Sequence, residues 1–103
     1  MASPPHPGHL IARIREIARD SARVVVTDHA AERMEERDII DVDLFRILRS
    51  GHIVGSVEPG RRDGDWTVKV VYRLKGSRDA GVVTVVLASE RLVVVTVEWE
   101  DCR

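Results

Sequence analysis

Valine is spread very unevenly along this chain: thirteen of its seventeen copies lie after Gly51. A side chain branched at Cβ is stiff in a helix and packs well on a pleated surface. The second half is therefore expected to form a sheet. In the first half the apolar residues recur every three or four positions, the period of a helix. Together the two halves predict an α+β domain, with N-terminal helices packed on a small antiparallel sheet of three to four strands.

Leu10, Ile11, Ile14, Ile17 and Ala18 form one apolar stripe and predict a helix over residues 9–20. Pro4, Pro5 and Pro7 make residues 1–8 an extended, frayed arm, leaving residues 9–103 as a single domain. Val24, Val25 and Val26 read as a short strand or as an extended lead-in. Thr27 or Asp28 is expected to cap a second helix over 29–37, and Asp41 a third over 42–50. Gly51 then reads as a C′ glycine free to take positive φ. Strands are expected over 52–58, 66–75, 82–88 and 92–99, with a polar loop over 59–65. Alternation in the last two assigns Val83, Val85, Leu87, Val93, Val95, Val97 and Trp99 to one face, and Thr84, Thr96 and Glu98 to the other. An exposed edge, either 52–58 or the hairpin containing Leu92, would be open to a partner strand.

Composition excludes several classes. With 44% hydrophobic and 32% charged residues over 103 positions, the chain suits one soluble globular domain. Its apolar runs of four or five residues are too short to span a membrane, and the first eight residues lack the basic and apolar regions of a secretory signal. A single cysteine, Cys102, forms no internal disulfide, which makes a reducing cytoplasm the expected compartment. Sixteen Lys and Arg against seventeen Asp and Glu give a net charge of −1, so contact with nucleic acid would need a local basic patch.

Three groups of side chains suit such a patch. His29, Arg33 and Arg37 follow at i, i+4 and i+8 and form a row beside the narrow apolar sector of Ala30, Ala31 and Met34. Two guanidiniums and an imidazole in line suit phosphates; the simpler account pairs Arg33 with Glu36 and leaves His29 to a backbone carbonyl. Lys69, Arg73 and Lys75 share one side of a strand, with Tyr72 on the other, and read equally as an RNA-backbone platform or a solvated face. Arg61 and Arg62 lie in a Gly-bounded loop near Trp66, where Asp63 and Asp65 offset their charge. The four histidines and Cys102 show no metal-ligand spacing. Neither a glycine-rich phosphate loop nor a nucleophile elbow is present, and no cofactor is expected.

The segment from Thr27 to Ile39 carries the pattern HA, two residues, RM, two residues, R, one residue, I. It resembles the opening of a family of small bacterial domains of unknown function associated with RelE-like type II toxins. That resemblance runs from about Val24 to Trp99; the layout is also similar to MqsR-type toxins, whose N-terminal helix is matched by Leu10 to Ile17, whose Tyr-Arg strand is matched by Val70-Val71-Tyr72-Arg73 and whose final hairpin is matched between Val82 and Val97. This chain departs from them in having Lys69 where that family has a glutamine, and no lysine near Val83 or Thr84. The resemblance implies a RelE-like or MqsR-like fold and a metal-independent mRNA endoribonuclease, acting on free or ribosome-bound message and neutralised by a cognate antitoxin. Of the site residues it carries over Tyr72; the chemistry of such cleavage adds Arg33, Arg37 and Arg73 to stabilise phosphate charge, His29 as base or acid, and Lys69 beside Tyr72 to position the substrate or assist proton transfer, with Arg61, Arg62 and Lys75 expected to hold RNA. A non-catalytic RNA- or protein-binding module of the same fold, or a structural protein without a nucleic-acid partner, fits the composition too.

Overall fold

The computed structural model describes residues 3–100, and for Lys75 the backbone alone; Cys102 lies outside the described residues. Three helices precede most of a five-stranded sheet: α1 (Pro7–Ala18), β1 (Val24–Val26), α2 (Asp28–Glu36), α3 (Asp41–Ser50), β2 (His52–Pro59), β3 (Trp66–Arg73), β4 (Asp79–Val86) and β5 (Leu92–Trp99). The strands lie in the order β1-β5-β4-β3-β2.

The α+β class stands, but the sheet is mixed and larger than expected. Val24, Val25 and Val26 are a true strand, running parallel to β5 with Val24 opposite Leu92 and Val26 opposite Val94. Three valines are too few to show a period, so only pairing with β5 settles their conformation. The remaining pairs are antiparallel.

Helix boundaries follow from their caps. α1 starts at Pro7, two residues before the expected start, because the Nδ1 atom of His6 accepts from the Gly8 amide at 3.0 Å and proline is well suited to the first helical position. Thr27 caps α2: its hydroxyl accepts from Ala30 N at 3.2 Å and donates to the Val94 carbonyl at 2.9 Å, tying the helix start to β5. At α3 the expected Asp41 cap is replaced. Ile40 holds the cap position, and the Asp43 carboxylate accepts from its amide at 3.2 Å.

Gly51 also differs from expectation. Its φ is −76°, so no left-handed conformation requires glycine. A Cβ there would lie 2.6 Å from the Ile47 carbonyl oxygen and 2.8 Å from Val70 Cγ1. Glycine is needed for the close approach of α3 to β3.

The core lies between the helices and one sheet face. Leu10, Ile14 and Ile17 of α1, with Leu44, Ile47 and Leu48 of α3, meet Val68, Val70, Val82, Val86, Leu92 and Val94, all buried. The assignment of Val83, Val85, Leu87 and Val93 to one face with Val97 and Trp99 fails. Val82, Thr84 and Val86 face the helices, and Val83 and Val85 face away. In β4 both alternating sets are apolar, so alternation cannot choose between them. In β5 the pairing passes from Val83↔Thr96 to Thr84↔Val94, leaving Val95 unopposed. That bulge resets the parity, so Leu92, Val94, Val97 and Trp99 are all buried. The buried Thr84 hydroxyl donates to the Val93 carbonyl at 3.0 Å.

Candidate functional site

α2 is short and anchored along one side. Ala30 and Met34 are buried and the helix packs against β5, while Arg33 and Arg37 flank the buried stripe and are half-buried. Both guanidiniums reach one carboxylate, Glu36: Arg33 as a close ion pair, Arg37 at 3.4 Å. The simpler reading of Arg33 is thus its geometry here. His29 is exposed, and its imidazole makes no hydrogen bond to another described residue. It stands eight residues, about 12 Å along the helix axis, from Arg37.

The C-terminal end of α2 meets the far end of the sheet at Trp99. Its indole Nε1 donates to the Arg37 carbonyl at 3.0 Å. The Arg78 guanidinium lies over the Trp99 ring, 4.2 Å from its centroid, in the range of a cation–π contact. Tyr72 pairs with Ala80, and Ala80 with Trp99, so all three side chains lie on one sheet face. Tyr72 and Trp99 are two strands apart, roughly 10 Å, with only a methyl group between them. Tyr72 is half-buried against the core. At this end the Arg37 carbonyl and the Arg78 guanidinium meet Trp99, Tyr72 lies two strands across, and Arg33 joins Arg37 through Glu36. Sequence reasoning missed Arg78 and Trp99 as site residues, because only the β4–β5 register brings them beside α2.

Lys69 and Arg73 are elsewhere. They alternate with Tyr72 along β3 and so point to the opposite face. The Lys69 ammonium lies 2.7 Å from Glu100 and 3.3 Å from Glu98, and Arg73 is paired with Asp79 at 3.2 Å. The Glu100 carboxylate, aided by Glu98, holds the Lys69 pKa above its ordinary value, against a smaller opposing effect of burial. Gly81 makes room for this ion pair: a Cβ there would sit 2.6 Å from Glu100 Oε2 and 2.8 Å from Lys69 Cε. The six residues expected to share a catalytic site therefore do not converge. Arg37 is tied to the Trp99 end of the sheet, with Tyr72 two strands from Trp99; Arg33 and His29 lie about one and two helical turns back along α2 from Arg37, and Lys69 and Arg73 are on the other face.

Arg61 and Arg62 are exposed in the β2–β3 loop, at the sheet end remote from Trp99. They line a groove of about 1130 Å³ on the open sheet face, with Val83, Val85, Val93 and Val95 among its walls. Asp65 fixes this loop: it is buried, and its carboxylate accepts from the Ala88 amide at 2.8 Å. Lys75 begins a 3-10 turn after β3, and its side chain lies outside the described residues.

Among the described residues no group of three or more His, Cys, Asp or Glu side chains is arranged to hold a metal ion. Nor is any helix among them long and apolar enough to cross a membrane. No curated protein and no solved structure matches the chain. A family model does, over residues 26–99, which takes in α2, α3, the four longer strands and Trp99. The chain belongs to that family, Domain of unknown function (DUF4258).

Proposed function

We propose that this protein is the toxin of a type II toxin–antitoxin pair, a cytoplasmic, metal-independent endoribonuclease acting on mRNA. The observation that supports this best is the pair of guanidiniums, Arg33 and Arg37, that share Glu36 on α2, whose C-terminal end is tied to Trp99 with Arg78 over its ring. Guanidiniums present planar forks that fit phosphate oxygens, and aromatic rings beside them suit a single-stranded base. The resemblance of the segment from Thr27 to Ile39 to a family associated with RelE-like toxins supports the same reading.

In this reading an RNA strand lies along α2. Arg37 and Arg33 take phosphate oxygens in exchange for Glu36, and His29 faces a ribose further along. The 2′-oxygen attacks the adjacent phosphorus, its proton passing to the His29 imidazole. The bond to the 5′-oxygen breaks, that oxygen collects a proton from water, and a 2′,3′-cyclic phosphate remains. The guanidiniums stabilise the charge that builds on the phosphorane. Lys69 and Arg73 play no direct part in this arrangement.

A non-catalytic RNA-binding module is the second reading, and the carboxylate already seated between Arg33 and Arg37 favours it. Incubation of the purified protein with RNA in EDTA separates the two. Fragments with cyclic phosphate ends, absent with Arg33→Ala, support the endoribonuclease. A salt-sensitive mobility shift with intact RNA supports the module. If neither appears, the RNA assignment fails. Growth arrest on induced expression, relieved by a co-expressed neighbouring gene, would identify the antitoxin.

A further inference from the structure

The outward face of the sheet is unusual in its chemistry. When one face of an antiparallel sheet is packed on the core, the other ordinarily carries polar residues. Here the outward positions of the two central antiparallel strands include, beside the polar Asp79, Thr96 and Glu98, a cluster of Val83 and Val85 in β4, and Val93 with the bulged Val95 in β5. Val95 is 37% exposed. These four valines line the groove of about 1130 Å³, and the β2–β3 loop borders it with Arg61 and Arg62. The other cations of this face are already neutralised, Lys69 by Glu98 and Glu100 and Arg73 by Asp79. Arg61 and Arg62 have no carboxylate partner among the described residues.

We propose that this groove docks an amphipathic helix of a partner protein, its apolar stripe on the valines and acidic residues along its edge against Arg61 and Arg62. Three features select this occupant. The four valines offer no aromatic ring for a base to stack on, which disfavours nucleic acid. Because β4 and β5 are interior strands, their backbone groups are paired within the sheet, so recognition falls to side chains, as in a helix-in-groove contact. The two unpartnered guanidiniums supply charge complementarity for carboxylates. The groove lies on the opposite face and at the opposite end of the sheet from Trp99, Arg37 and Arg33, and reaches α2 only at its N-cap Thr27, so the inference does not rest on RNA cleavage.

The test uses a random-sequence peptide library displayed on phage, selected on the full chain, followed by titration of the enriched peptides in solution. The expected motif has apolar residues at i, i+3, i+4 and i+7 with Asp or Glu beside them. Val85→Asp should weaken binding at least about tenfold, and Arg61→Glu combined with Arg62→Glu by a similar factor that shrinks in high salt. All three substitutions are on solvent-facing positions, and an unchanged thermal melt confirms that the fold is intact. Four results would overturn the proposal. They are the absence of an enriched motif, equal binding by Val85→Asp, displacement of the peptide by a single-stranded RNA oligonucleotide, and a wild-type dimer that Val85→Asp dissociates. The RNA-cleavage assay reads out separately, so failure here leaves that reading untouched.

Discussion

The indole of Trp99 donates to the carbonyl of Arg37 at 3.0 Å across 62 residues of chain. The bond fixes the α2 C-terminus to the last strand, and Arg78 covers the same ring. Replacing Trp99 with Phe keeps most of the apolar volume and removes the donor, leaving the Arg37 carbonyl unpaired in a part-buried place. The expected loss is about 1–2 kcal/mol of stability, read as a lower urea midpoint with unchanged slope. Equal midpoints would show that the bond adds nothing net.

Two glycines should respond very differently to the same added methyl group. At Gly51 the new Cβ meets the Ile47 and Val71 carbonyl oxygens at 2.6 and 2.8 Å, and Val70 Cγ1 at 2.8 Å. Backbone has to move, so Gly51→Ala should cost about 2–3 kcal/mol, in the range of core overpacking. At Gly81 the crowding atoms are the ends of the Glu100 and Lys69 side chains, which can swing aside. Gly81→Ala should cost about 1 kcal/mol or less, and mainly by loosening that ion pair. Denaturation of both variants checks the order, and a larger loss at Gly81 would contradict it.

The same positions show what was legible in the sequence. Helical spacing in Leu10, Ile14 and Ile17 and valine enrichment after Gly51 were enough for an α+β layer, because burial follows those periods directly. Strand faces were not legible in β4 and β5. Val82, Thr84 and Val86, the set that faces the core, are less apolar than Val83, Val85 and Leu87, and the bulge at Val95 breaks the period. The parallel pairing of β1 joins residues 68 apart, beyond the reach of any local pattern. For the candidate site, the row on α2 was readable from spacing and from its family resemblance. Its meeting with Trp99 and Arg78 was not, since that contact is made by strand register.

Opposite ends of the sheet should separate in cleavage assays. One charge-stabilising group is worth about 2.7–4 kcal/mol of barrier, so Arg33→Ala should lower the cleavage rate roughly 100-fold or more with the melting temperature little changed. Arg37→Ala should have a comparable effect, because its guanidinium shares Glu36 with Arg33. Arg61→Ala with Arg62→Ala should leave the rate within about twofold, since that loop borders the other end of the molecule. The reverse pattern would move the site to the open face.

The Lys69 ion pair makes an alkaline prediction. Its pKa in the folded chain is raised above the ordinary 10.5, first by Glu100 and then by Glu98, so the folded state holds this proton more tightly than the unfolded state does. The stabilisation is complete below about pH 10.5 and is lost as pH rises through the higher folded value. Glu100→Gln removes the main cause. At neutral pH it should lower stability by at most about 1 kcal/mol, because the pair is partly exposed. Above pH 10 the wild-type urea midpoint should fall more steeply than that of Glu100→Gln, so that the two curves converge. Every other group is common to the two proteins, so the difference between the curves isolates this pair. Parallel curves would mean that Lys69 gains nothing from its carboxylates in solution.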